Sequence, residues 1–199
     1  SGLTATGAVT MTVTGLDHQI TAQDDTGNTT SDQTVVVSAL ANDTDAEGHA
    51  LSLVSVGLPV KGTAVIANGA ITYNPNGKFN DLKKAQSTTD AFSYTIEDIY
   101  HNQAIGHVSV TVTGINHAPT ATATTSITTD QEKGVSVVLS ATDYDGDTIK
   151  YTTTQPAHGV LTGTAPNVVY TPTAGYYGSD SFTFKANDGT VDSNVGTVN

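Results

Sequence analysis

Asp90-Ala91-Phe92-Ser93-Tyr94-Thr95-Ile96-Glu97-Asp98 sets large apolar side chains at every second position, with Ser93, Thr95 and Glu97 between them. A period of two puts Phe92, Tyr94 and Ile96 on one face of a β-strand and the polar residues on the other. The pattern returns, position by position, as Asp180-Ser181-Phe182-Thr183-Phe184-Lys185-Ala186-Asn187-Asp188. Other matches keep the same order. Ile71-Thr72-Tyr73-Asn74-Pro75 pairs with Val168-Val169-Tyr170-Thr171-Pro172, and Asp45-Ala46-Glu47-Gly48-His49 with Asp143-Tyr144-Asp145-Gly146-Asp147. The chain therefore holds two copies of one unit.

Around these strands lie more short alternating runs, bounded by Gly, Pro, Asn and Asp, such as Val108-Ser109-Val110-Thr111-Val112. No segment shows a 3.6-residue apolar period. The expectation is all-β: two tandem immunoglobulin-like antiparallel β-sandwiches of about a hundred residues each. One stretch, Phe79 to Ala85, reads as a single helical turn. Ala5–His18 align with Ala104–His117, so residues 1–17 are expected to be the last strand of a preceding repeat plus a linker. The first full repeat then spans 18–114, and the second spans 115–199 with a shortened final strand. Pro119 makes the junction short and extended, and serial small domains of this kind make a rod. The unpaired copy of the last strand, over residues 5–14, is expected to be able to complete the second repeat of another molecule by strand addition.

Composition narrows the function. Of 199 residues, nineteen are acidic against seven lysines, and the formal net charge is −12. Phosphate backbones and anionic membranes repel such a chain, and without arginine it lacks the bidentate phosphate reader, so nucleic acid is excluded as a partner. No apolar run is long enough to insert in a membrane. The absence of cysteine excludes disulfides, thiol catalysis and thiolate metal sites.

The acidic stretches carry the chemistry. Asp143, Asp145 and Asp147 surround a turn glycine with nothing basic among them. At ~5 Å and an effective dielectric of about 20, each carboxylate pair repels by roughly 3 kcal/mol. Solvent screening or a bound cation must offset this, which leaves a solvated acidic turn and a Ca2+ site as the two readings. Alternating hard oxygens suit Ca2+, which takes about 6–8 of them. The aromatic strand brings a further ligand, because continuing its period of two turns Asp98 and Asp188 inward at the strand end, where a carboxylate needs a partner. In an immunoglobulin-like topology the acidic loop, that strand end and the entering linker share one pole. The candidate ligands are thus Asp143, Asp145, Asp147, Asp188 and Asn116 in one repeat, and Asp45, Glu47, Asp98 and Asp17 in the other. An EF-hand is excluded, since Thr148 and Thr154 occupy the positions where that loop needs Gly and Glu. The six histidines lack zinc spacing, and no nucleophile-elbow motif supports Ser/His/Asp catalysis, so no enzyme is expected. Tyr176-Tyr177 has two readings, as core and as a sugar-stacking platform. Asn28-Thr29-Thr30 is a glycosylation sequon of low specificity.

With these residues in view, Ala41 through Leu51 (ANDTDAEGHAL) resembles the acidic signature of bacterial cadherin-like and VCBS repeats. Leu82 through Tyr94 looks like the VCBS form, while Gln155-Pro156-Ala157-His158-Gly159, Tyr170-Thr171-Pro172 and Gly178-Ser179-Asp180-Ser181-Phe182 resemble the cadherin-like repeats found in tandem. The resemblance covers nearly the whole chain. It implies calcium-stiffened modules of very large bacterial surface or secreted proteins, many of them RTX-type adhesins exported by type I secretion and acting in cell adhesion or biofilm attachment. Their partners would be neighbouring repeats of the same chain, with polysaccharide or a host surface reached through other domains. The alternative is a calcium-dependent polysaccharide-binding module. Two departures stand out: Glu47 and His49 replace aspartates of the signature, and His117 replaces an aspartate of the linker.

Overall fold

The computed structural model describes residues 7–8, 10–11, 19–123 and 126–199. Asp17 and most of the strand expected over residues 5–14 lie outside the described residues. The architecture is all-β and divides into two compact units.

The first unit comprises residues 1–78 and 88–112. Its strands are β1 (Ile20–Thr21), β2 (Asp25–Thr30), β3 (Val35–Val37), β4 (Thr44–Asp45), β5 (Ser52–Val56), β6 (Thr63–Ala67), β7 (Ala70–Asn74), β8 (Ser87–Glu97) and β9 (Gln103–Thr113). Two sheets, ordered β2-β9-β8-β5 and β3-β7-β6, form an immunoglobulin-like sandwich, with β1 and β4 as a short antiparallel pair. A single 3-10 turn, Ala39–Ala41, follows β3. The alternation read from sequence is the burial pattern of β8: Asp90, Phe92, Tyr94 and Ile96 are buried while the residues between them are not. Val108, Val110 and Val112 of β9 and Ile71 and Tyr73 of β7 fill the same core. Tyr73 stacks on Phe92 with ring centroids 6.0 Å apart. Each such side chain contributes about 1.5–3 kcal/mol by leaving water.

The second unit comprises residues 79–87 and 113–199. Its strands are β10 (Thr120–Thr122), β11 (Val135–Val138), β12 (Ser140–Thr142), β13 (Lys150–Thr153), β14 (Gly159–Thr164), β15 (Asn167–Pro172), β16 (Phe182–Asn187) and β17 (Gly196–Val198). The sheets run β11-β15-β14 and β13-β16-β17, with β10 paired to β12. Ala121, Val137, Leu139, Val168, Phe182, Phe184 and Val198 form the core. The segment over residues 79–86 forms turns and bends, not the helical turn expected over Phe79 to Ala85. Only isolated i-to-i+3 bonds form, from Leu82 N to Phe79 O and from Gln86 N to Lys83 O. Its other polar groups are committed elsewhere, with Gly114 N donating to Gln86 O and Ala85 N to Gly114 O. A helix this short has too few internal bonds to resist that competition.

Both units share a packing signature. A Cβ on Gly106 would fall within 2.6 Å of the Tyr94 ring, and one on Gly196 would meet the Phe184 ring in the same way. Only glycine admits so close an approach. This contact fixes Tyr94 and Phe184 as structural equivalents.

Candidate metal centres

In each repeat the acidic turn is built by the carboxylate that opens it. Asp45 Oδ1 accepts from the amides of Glu47 (2.9 Å) and His49 (3.0 Å). Asp143 Oδ1 likewise accepts from Gly146 N (2.8 Å) and Asp147 N (3.0 Å). Both loops turn through a glycine of positive φ, +77° at Gly48 and +88° at Gly146, a region that disfavours other residues. The consequence for the remaining oxygen is the same in both. Asp45 Oδ2 and Asp143 Oδ2 are shut off from solvent without a hydrogen-bond partner. A buried unsatisfied carboxylate oxygen is costly unless something cationic reaches it.

In the second unit, one oxygen from each of Asp143, Asp145 and Asp147 lies within 4.8 Å of the others. Ligands about 2.3–2.6 Å from Ca2+ are separated by up to roughly 5 Å across the ion, so the set fits. Asn116 Nδ2 donates to Asp188 Oδ2 at 2.7 Å, and its Oδ1 is a further buried oxygen with no partner. Asp188 Oδ1 accepts from the amides of Thr190 and Val191. The bond from Asn116 first, then the one from Val191, hold the Asp188 carboxyl below its usual range.

Lys84, His117 and Tyr144 also belong to this surrounding, and none of them was singled out as a contributor by sequence. Asp145, whose side chain is 2% exposed, accepts from Lys84 N (2.7 Å) and His117 N (2.6 Å). Burial would raise its pKa, but those two amides and the His117 ring outweigh it and leave the carboxyl below its usual range. The Lys84 ammonium lies 3.2 Å from Asp147 Oδ2. Tyr144 OH donates to Asp81 O, and His117 Nε2 lies 3.1 Å from Asn80 O. Segment Phe79–Ser87 supplies these partners. Nothing in the periodicity of Asp143–Asp147 announces them, because they come from sixty residues away in sequence.

The first unit offers a poorer set. Asp45, Glu47 and His49 each bring one ligand atom within 4.8 Å of the others, but one of the three is an imidazole nitrogen, which Ca2+ accepts reluctantly. The Asp45 side chain is fully buried. The amide of His49 is the main influence holding its carboxyl low, while the Asp98 charge acts in the opposite direction. Asp98 is buried as its parity requires, yet it is not among the clustered groups. Its Oδ1 accepts from Tyr100 N and Asn102 N and its Oδ2 from Asn102 Nδ2, so it builds its own hairpin turn.

Residues 17–114 match the bacterial cadherin-like domain and residues 116–199 match the bacterial Ig domain. The chain carries a bacterial cadherin-like repeat followed by a bacterial Ig domain. Among solved structures it is similar to mouse cadherin-23 EC22-24 (16% identity, TM-score 0.49, 92% of this chain and 62% of that one). It is also similar to protocadherin gamma B7 extracellular cadherin domains 1-4 (12%, 0.49, 92% and 50%). An endo-fucoidan hydrolase of glycoside hydrolase family 107 aligns at 16% identity and TM-score 0.35, with 94% of this chain covered but 29% of that one. No curated protein matches the sequence. Among the described residues no helix is long and apolar enough to cross a membrane.

Proposed function

We propose that this chain is a non-enzymatic, calcium-stiffened extender segment of a large bacterial surface or secreted adhesin. The observation that carries the reading is the Asp143-Asp145-Asp147 set, in which Asp143 Oδ2 is sealed from water without a partner; Asn116 Oδ1, on the linker whose His117 amide binds Asp145, is sealed in the same way. Asp143, Asp145, Asp147 and Asn116 would hold the ion, with Asp188 orienting Asn116. Bound Ca2+ supplies charge neutralisation, and the chain does the rest. Asp143 Oδ1 keeps the turn closed, and Asp145 anchors Lys84 and His117 by their amides. Asp45 and Glu47 form a weaker second site. Extracellular modules work at affinities of about 10⁻⁴–10⁻³ M, and at one hundred times Kd one site adds about 2.7 kcal/mol of stability. Isothermal titration with Ca2+ tests this. Saturable binding that loses its tighter site in Asp143→Asn supports it, and an absence of heat in millimolar Ca2+ counts against it.

A second reading, a polysaccharide-binding module, is favoured by one feature of the second unit. A cavity of about 750 Å³ is bordered by Tyr176, Tyr177, His158, Asp180 and Gln131. His158 and Tyr176 stack at 4.1 Å, and Tyr177 is 83% exposed. Retention of the chain on immobilised polysaccharide, lost in Tyr177→Ala, would support this reading; no retention with or without Ca2+ would remove it.

A further inference from the structure

In the first unit β6 is the last strand of the β3-β7-β6 sheet, with β7 on one flank and no strand on the other. Its hairpin with β7 turns on Asn68-Gly69, whose φ values of 52° and 76° suit a two-residue loop. Such a loop makes Ala67 and Ala70 a hydrogen-bonded pair, and antiparallel alternation then turns the main-chain groups of Val65 and Thr63 towards β7 as well. The N–H and C=O of Ala64 and Ile66 point the other way, along the open edge. Charge, proline and bulges usually keep such an edge from pairing, and Thr63–Ala67 has none of them. Apolar side chains accompany it. Leu58 and Val60, on the loop leading into β6, are 94% and 83% exposed, and Val65 is 56% exposed. That loop is pinned, with Gly57 N bonded to Ser93 O and Val60 N and Gly62 N bonded to Asp90. From Gly48 to Asn80 the chain carries no acid, only Lys61 and Lys78, although its net charge is −12.

The second repeat has the same edge and blocks it. Gly62 and Gly159 seat in the same way against Tyr73 and Tyr170, which aligns β14 with β6. The outward amide at the position of Ala64 is Leu161 N, and Gln155 Oε1 accepts from it at 3.1 Å. At the position of Ile66 stands Gly163, whose φ of 91° departs from strand geometry. Leu58, Val60 and Val65 are matched by Gln155, Ala157 and Thr162. One repeat thus caps and kinks its edge, while the other leaves it straight and apolar.

We propose that β6 pairs antiparallel with β6 of a second copy of this chain, about a two-fold axis at Val65, so that the β3-β7-β6 sheet runs on through both molecules. The edge is complementary to itself in this register. The outward N–H and C=O of Ala64 meet those of Ile66 in the other copy, and the reverse, so each outward group finds a partner. Small Ala64 lies beside large Ile66, Val65 faces Val65, and Lys61 falls opposite Gly69 instead of another lysine. The acid-free stretch lets two strongly acidic chains approach here without carboxylates facing carboxylates. Contacts this short bury less than the ~1,200 Å² of a standard interface, so the association is weak and concentration-dependent. It would join neighbouring molecules side by side, and it needs no metal.

The test is analytical ultracentrifugation of the full chain from micromolar to millimolar concentration, with chelator and at physiological salt. The mass is expected to rise reversibly towards twice that of the monomer. Val65→Lys sets like charges across the axis, and Ala64→Pro removes an outward N–H, so each is expected to hold the mass at that of the monomer. Should Ala64→Pro unfold the chain by circular dichroism, Val65→Lys decides alone, because position 65 faces solvent. Cross-linking checks the register. The chain has no cysteine, and facing residues of a non-hydrogen-bonded pair have Cα atoms about 4.5 Å apart, within reach of a disulfide. Val65→Cys is therefore expected to oxidise to a covalent dimer, and Thr162→Cys, on the capped edge, is expected to stay monomeric. A monomer mass for the unaltered chain at millimolar concentration overturns the proposal. A dimer that survives Val65→Lys overturns it too, as does equal cross-linking by Val65→Cys and Thr162→Cys.

Discussion

Asp45 and Asp143 each give one carboxylate oxygen to the amides of their own turn and hold the other sealed and unbonded, so a single residue both shapes the loop and leaves it in want of a cation. The two roles separate by substitution. Asp143→Asn keeps an oxygen for the Gly146 and Asp147 amides but puts an amide group where the ion would sit. The ion-free stability is expected to stay within about 0.5 kcal/mol of the unaltered chain, while the calcium-induced rise in melting temperature from the second repeat disappears. Calorimetry with chelator and with Ca2+ reads both. Lys84 competes for the same carboxylates, its ammonium being 3.2 Å from Asp147. Lys84→Met is expected to tighten calcium binding by about two- to five-fold, the worth of an exposed ion pair, as measured by titration at low salt. Weaker binding would mean that the lysine organises the loop instead.

At the scale of strands, the parity that placed Phe92, Tyr94 and Ile96 in the core also placed Asp90 there, 1% exposed. Its carboxylate accepts from Val60 N, Lys61 N, Gly62 N and Tyr73 OH, pinning the loop between β5 and β6 to β8. Asp180 does the same in the second repeat through Ala157 N, His158 N and Tyr170 OH. Burial alone would raise both carboxyls, but the donated bonds outweigh it and hold them low. A depressed acid contributes stability that is fully present above its unfolded pKa and is lost as pH falls through the folded one. The chelated chain is therefore expected to melt progressively earlier below about pH 4, and Asp90→Asn should flatten that fall. At neutral pH the same substitution is expected to cost about 2–4 kcal/mol by denaturant unfolding, because it takes a charged acceptor from several donors at once. The strands and the turn-opening acids were legible in sequence because period-two alternation and local Asp-x-Asp spacing are short-range signals. Asp90 was legible too, since position 90 shares the parity of 92, 94 and 96, yet an acid at a core position reads first as a strand boundary. Lys84 and His117 were not legible as contributors, because their roles depend on which distant loops meet.

Across the whole chain, two copies of one sandwich have diverged in how they manage negative charge. The second repeat concentrates acids at the Asp143 turn and has Phe184 where the first has Tyr94. The first repeat weakens its turn with Glu47 and His49 and carries additional acids at Asp24, Asp25 and Asp43. With a net charge of −12, the ion-free protein accumulates self-repulsion that divalent cations relieve. Monovalent salt screens that general repulsion but does not fill an oxygen cage, so NaCl of equal ionic strength is expected to reproduce only a small part of the calcium effect. The most direct measurement is differential scanning calorimetry of the unaltered chain in chelator, in millimolar Ca2+, and in the matched NaCl control. Calcium binding to the native state predicts a rise of several degrees that depends on Ca2+ concentration and reverses with chelator. Melting temperatures that coincide in chelator and in Ca2+ would contradict it.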